Sequence, residues 1–204
     1  MTKCMNSEVT SSDIIKFKLK DSAIKSCIDT ACKLVDTMID RNDLHGRDYL
    51  EKFLNILMGE LAEQLVISWI KNCGKYVESA VDKNSGRPDL GHDILLKSKD
   101  GRQIKASIKS SLSVHKQPKD IINEFTLATT KKEIREVNIQ VYFWLNLYDN
   151  PRKVLPSTDN LAIIAWCGKK DLQNFSSYTT EKRESPTQKL KNLRTMKTLL
   201  ELIE

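Results

Sequence analysis

The apolar positions follow two different periods along the chain. Over residues 21–39, Ile24, Cys27, Ile28, Ala31, Leu34, Val35, Met38 and Ile39 recur at three- and four-residue spacing, predicting a helix with one buried face. A break follows at residues 41–46. A second helix is predicted over residues 48–72, with Phe53, Leu57, Leu61, Leu65 and Trp69 on its stripe and Gly74 at its C-terminal cap. Glu60 and Glu63 fall off that stripe and read as solvated.

Past residue 75 the period shortens. Residues 76–81 predict a short strand, and Ser85-Gly86-Arg87-Pro88 is loop chemistry. Ile94-Leu95-Leu96 and residues 103–110, joined by Lys99-Asp100-Gly101, predict a β-hairpin. Pro118 opens a helix through Ile121, Ile122, Phe125 and Leu127. Residues 137–148 begin with apolar–polar alternation and become continuously apolar and aromatic, as a central strand does, and residues 161–167 predict another buried strand. Tyr142-Phe143-Trp144 reads as core rather than as a base-stacking platform. A charged linker at residues 179–184 precedes a last helix with Ser185 as N-cap, Pro186 at N1 and Gln188 at N3. Its stripe is Leu190, Leu193, Lys197, Leu200 and Ile203. This order predicts an α/β fold with a mixed central sheet. Residues 1–46 form a helical N-terminal region, residues 47–178 the core, and residues 179–204 a linker with an amphipathic helix.

Composition narrows the class without naming it. The chain has 204 residues, 40% apolar and 29% charged, with little Gly or Pro, which argues for a folded domain and against disorder. Its five cysteines (Cys4, Cys27, Cys32, Cys73, Cys167) contain no Cys-x-x-Cys pair, and His45, His92 and His115 do not cluster with them. Neither a zinc site nor a disulfide framework is expected. The N-terminus lacks a signal-peptide stretch, and no run approaches the roughly 18 apolar residues of a membrane span. A cytoplasmic protein with no membrane partner and no nucleotide cofactor is the expectation. The net charge of +6 favours a polyanionic partner.

The candidate chemistry lies in Pro88-Asp89-Leu90-Gly91-His92-Asp93-Ile94 and Ala106-Ser107-Ile108-Lys109-Ser110-Ser111. Phosphodiester hydrolysis needs a carboxylate to hold Mg²⁺ at the scissile phosphate and a cation near the attacking water or the developing charge. A hairpin supplies both if acid and lysine share one face. A three-residue Lys99-Asp100-Gly101 loop with Gly in the left-handed position pairs Ser98 with Arg102. Asp93 then opposes Ser107, on the same face as Lys109. The alternative, Lys105, fits less well: Gln103 opposes Lys97, four residues or about 13 Å from Asp93. A two-residue turn would shift the register by one and turn Asp93 to the wrong face.

These residues resemble the PD-(D/E)xK nuclease superfamily, over about residues 59–167. Asp93 matches the acid before the hairpin, Asp89 stands in the literal Pro-Asp pair, and Lys109 matches the lysine. Gly59-Glu60-Leu61-Ala62-Glu63 resembles the helix-borne glutamate of many members. Ser107 departs from the usual acid, and a hydroxyl is a poorer Mg²⁺ ligand than a carboxylate. A subset of restriction enzymes has the same Ser-x-Lys with a glutamate moved to the following helix. Glu124, fifteen residues past Lys109, stands in that position, with Glu63 as the second choice.

The resemblance implies a restriction-endonuclease-like core at residues 47–178 and an Mg²⁺-dependent endodeoxyribonuclease acting on double-stranded DNA. It implies catalytic roles for Asp93, Lys109, Glu124, Glu63 and Ser107, and metal ligands among Asp93, Glu124, Asp89 and Glu63. A homodimeric type II restriction enzyme in antiviral defence is the leading expectation, since cutting both strands of a palindrome needs two sites. The rivals are a non-sequence-specific or structure-specific nuclease of an antiphage or recombination system, and a catalytically dead DNA-binding member of the fold. His92 and His115 would assist binding. Lys116, Lys119, Lys131, Lys132 and Arg135 would track phosphates or simply be solvated.

Overall fold

The two periodicities become helices and strands in a computed structural model of the chain. It describes residues 8–37, 46–80, 92–114, 116–124, 126–128, 135–145, 157–171, 175–179 and 184–204. Among these, the helices are α1 (Asp21–Thr37), α2 (Tyr49–Asn72), α3 (Pro118–Glu124) and α4 (Met196–Leu202). The strands are β1 (Val77–Ser79), β2 (Ile94–Lys97), β3 (Gln103–Ser113), β4 (Thr126–Ala128), β5 (Val137–Trp144), β6 (Leu161–Gly168), β7 (Ser176–Thr179) and β8 (Glu184–Lys189). Five of them form a mixed sheet in the order β1-β2-β3-β5-β6, and β4-β8-β7 form a second, antiparallel sheet. Within the mixed sheet only β3 and β5 run parallel. The fold is thus α/β with a mixed sheet flanked by helices.

α2 is the central helix. The Asp48 carboxylate accepts from the Glu51 amide at 2.7 Å, an N-cap worth about 1 kcal/mol. At the other end Gly74 takes a φ of 72°, letting Gly74 N donate to Lys71 O and Lys75 N to Ile70 O. That is the paired closure expected of a left-handed glycine after a helix. The predicted stripe is only part of what α2 buries: Met58, Ala62, Val66 and Ile70 are buried as well as Leu57, Leu61, Leu65 and Trp69. α1 covers one side of it and β1, β3 and β6 the other. By length and composition α2 could also cross a membrane, contrary to the sequence expectation, although over half of that window is buried inside the fold.

The C-terminal segment departs from its sequence pattern. Residues 184–189 form strand β8, paired with β7 and β4, where the Ser185-Pro186-x-Gln188 spelling predicts a helix start. A cap is worth about 1 kcal/mol, and ladders with both the adjacent β7 and the distant β4 outweigh it. β4 pairs only with residues 187–189, so the N–H that Pro186 lacks is not needed on that side. The helix begins at Met196, with Met196 and Leu199 in the core and Lys197 exposed. Leu190 and Leu193 are buried, but in a short 3₁₀ turn and the bend after it. Leu127, predicted in the helix after Pro118, lies in β4.

Both ends of the chain join the sheet. Ile15 exchanges two backbone bonds with Ile163 on β6, and Arg194 does so with Trp166, so the β6 edge is covered. Glu204 N donates to Lys97 O and Glu204 O accepts from Tyr76 N, tying the C-terminus to β1 and β2. Leu19, Cys27, Ala31 and Val35 near and within α1, and Met196, Leu199 and Ile203 in and after α4, belong to the same apolar cluster as α2.

Cysteine exposure offers a direct check on this packing. Cys27 and Cys167 are buried, Cys32 and Cys73 exposed. Burial pushes the Cys167 thiol up to about 12 and raises Cys73 as well. Because the thiolate is the reactive form, iodoacetamide near about pH 8 should label Cys32 fastest and Cys73 more slowly. Cys27 and Cys167 should react only after unfolding, as read by peptide mass spectrometry. Rapid labelling of Cys167 in the folded protein would contradict the buried β6.

Candidate active site

The hairpin sets the site. Gly101 adopts φ 83°, and Ser98 N donates to Arg102 O at 2.8 Å, closing a Lys99-Asp100-Gly101 loop. The Ser98 hydroxyl and the Arg102 amide both bond the Asp100 carboxyl and hold it below the usual carboxylate range, Ser98 contributing most. From this turn β2 and β3 pair as Lys97↔Gln103 through Ile94↔Ala106. Past the last pair Asp93 N still donates to Ala106 O at 3.0 Å, so the Asp93 main chain stays against Ala106 while its side chain reaches Ser107. Lys105 opposes Leu95 and is exposed.

Side-chain alternation then divides the two faces. Ile94, Leu96, Ile104, Ala106 and Ile108 pack into the cluster around α2. Ser107 and Lys109 belong to the opposite face, and the Asp93 carboxylate meets Ser107 from the strand end. Beyond Ala106, β3 pairs with β5 alone among the described strands, so β2 no longer borders it. The Asp93 carboxylate bridges that opening: its Oδ2 accepts from Ile108 N at 2.5 Å and from Ser107 Oγ at 3.1 Å. Two donors on one oxygen hold the carboxylate in a single orientation, and charge-assisted bonds of this kind are about twice as strong as neutral ones. Lys109, two residues along β3 from Ser107, is half-buried.

Glu63 is buried, at 7% exposure, where the stripe pattern reads it as solvated. α2 has little solvent face along its middle, so falling off one stripe places Glu63 against another neighbour. Its Oε1 accepts from Ser79 Oγ at 2.7 Å. Ser79 pairs with Ile94, and Ala80 N donates to Asp93 O at 2.9 Å. Glu63 and Asp93 are therefore anchored at adjacent positions of the same strand end.

Glu124 takes a different place. It is exposed at the end of α3 and ion-paired to Lys116 at 2.8 Å, which raises the Lys116 pKa. Among the described residues its ion-pair partner is that lysine, on its own surface. Asp89, His115, Lys131 and Lys132 lie outside the described residues, as do Met38, Ile39 and Phe125. His92 is buried at 3% exposure, within the fold rather than on a binding surface. Lys119 is exposed and Arg135 half-buried.

Sequence reasoning missed the polar residues of β5. Asn138 and Gln140 are buried within a strand whose other residues are apolar, and Tyr142 and Trp144 are core as expected. Asn138 Nδ2 donates to Arg135 O at 3.1 Å. Gln140 Nε2 lies within hydrogen-bond distance of Lys109 O, Val141 O and Ser111 Oγ, which share its two hydrogens. Burial pushes the Tyr142 phenol up to about 12, and the phenol hydrogen-bonds Ser111. The available signal was a pair of amides inside an apolar run, since buried amides need partners.

The donor set suits a hard divalent cation. Among the described residues no three His, Cys, Asp or Glu side chains gather into one group. Mg²⁺ commonly takes only one or two protein carboxylates and completes its shell with water and substrate phosphate. Asp93 is one such carboxylate, and Glu63 reaches the neighbouring strand end from the α2 side through Ser79. No family model, no curated protein and no solved structure matches this chain.

Proposed function

We propose that the chain is an Mg²⁺-dependent endodeoxyribonuclease of the restriction-endonuclease-like type, acting on double-stranded DNA. The observation that carries this reading is the Asp93 carboxylate, held by Ser107 Oγ and Ile108 N on the hairpin face that also bears Lys109. Asp93 and Glu63 would hold the metal, which when bound polarises the scissile phosphate as a Lewis acid. Ser107 is assigned to orienting Asp93 through its hydroxyl rather than to binding metal. Lys109 places its positive charge where negative charge develops on phosphorus and orients the attacking water. The +6 net charge supports a polyanionic substrate. The leading biological reading is a cytoplasmic type II restriction enzyme working as a homodimer.

A second reading is favoured by one observation. The position that carries an acid in the resembled family holds Ser107, whose hydroxyl is engaged with Asp93. A nuclease-like protein that binds DNA without cutting it would have such a site. Incubation of the protein with supercoiled plasmid and Mg²⁺ separates the readings. Nicking or linearisation that EDTA abolishes supports the nuclease, with discrete fragments indicating sequence-specific cutting and a smear indicating non-specific cutting. A gel shift with intact plasmid at every Mg²⁺ concentration would replace the nuclease with the binding protein.

A further inference from the structure

Gln140 is almost fully buried, at 1% exposure, and stands opposite Lys109 in the parallel β3–β5 pair. Its amide nitrogen lies 2.9 Å from Lys109 O, 2.9 Å from Val141 O and 3.2 Å from Ser111 Oγ. Two of these three neighbours are carbonyl oxygens, which only accept. Reversing the amide would set its oxygen against both of them, so the orientation is chemically determined. Val141 O sits where the β5–β6 register shifts, between Gln140 and Val141. One side chain therefore joins that irregularity to the main chain of Lys109.

β3 needs such a tie at this point. Past Ala106 it has left β2, and on the β2 side Ile108 N is taken by the Asp93 side chain in place of a strand partner. On the other side the Gln140 amide clasps Lys109 O and Ser111 Oγ. The stretch that carries Ser107 and Lys109 is thus held on one edge by the candidate metal ligand and on the other by the β5 ladder, to which the buried amide adds a side-chain clasp.

We infer that Gln140 is a positioning residue for Lys109, fixing through the Lys109 carbonyl the stretch of β3 from which the lysine side chain reaches the phosphate. The inference rests on the nuclease reading for its catalytic consequence. Its structural content stands apart from that reading. Gln140→Leu keeps the volume and removes the amide, and Gln140→Met serves the same comparison if the leucine variant unfolds. Hydrogen exchange should quicken in peptides covering residues 107–111 and stay unchanged in α2. Single-turnover cleavage of saturating DNA should fall about 10²-fold, the scale of a small misplacement of a reacting group, while DNA affinity stays within about two-fold.

Cleavage at the wild-type rate, or a loss of rate matched by an equal loss of affinity, would overturn the positioning role. If the wild-type protein cuts no DNA, the nuclease reading fails on its own account. Unchanged exchange at residues 107–111 would then still overturn the inference about Gln140.

Discussion

Asp93→Asn and Lys109→Met are each expected to bind DNA and to cut it at least about 10²-fold more slowly than wild type at saturating Mg²⁺. Asparagine at position 93 keeps an oxygen that can accept from Ile108 N and Ser107 Oγ, so the opening between β2 and β3 remains bridged. What it loses is the negative charge that would hold the cation. Methionine at position 109 keeps the length and the packing of the stem and removes only the ammonium. Circular dichroism melts should show both variants folded, and single-turnover plasmid linearisation gives the rate. A folded Asp93→Asn enzyme cutting within about three-fold of wild type would remove the basis of the assignment.

Glu63→Gln should cost far more activity than Glu124→Ala. Glu63 is buried and bonded to Ser79, next to the strand end that carries Asp93. Glutamine preserves the bond from Ser79 Oγ but removes a carboxylate from a site that has no third one among the described residues. Cleavage should fall about 10²-fold, and more Mg²⁺ should be needed for half-maximal rate, because one protein ligand then remains where one or two are usual. Glu124 is exposed and paired with Lys116, and exposed pairs contribute at most about 1 kcal/mol. Its alanine variant should cut within about two-fold of wild type. The opposite ranking, read across an Mg²⁺ titration, would return the missing carboxylate to α3.

Ser107→Glu adds little to this comparison. Ser107 is buried and its hydroxyl serves Asp93, so a longer acid there displaces the bond that orients the first carboxylate. On the proposed reading, the carboxylate missing at Ser107 comes from Glu63, the second choice of the sequence reading, rather than from Glu124.

The hairpin was readable in the sequence because its code is local. Lys99-Asp100-Gly101 offers one glycine able to take positive φ, the turn length sets which residues face each other, and the two-residue period carries Ser107 and Lys109 to one face, where the Asp93 carboxylate meets Ser107. The α2 boundaries were readable for the same reason, from Asp48 at one end and Gly74 at the other. The burial of Glu63 was not. Stripe analysis assumes a helix with a solvent side, and α2 is enclosed by α1 and the sheet along most of its length. The start of the last helix failed for a related reason: β8 owes its conformation to β4 and β7, which a capping motif cannot register.

By itself, then, the sequence determined the elements whose signals lie within a few residues of one another: the long helix, the hairpin register, and the acid and lysine that share its face. Tertiary structure alone decided which glutamate bonds Ser79, next to the strand end that carries Asp93, and what clasps the main chain of Lys109. Glu63 lies 16 residues from Ser79, and Gln140 lies 31 residues from Lys109. Such partners are selected by how helix and strands pack around a common core, where a buried carboxylate or amide must find a hydrogen bond whatever its distance along the chain.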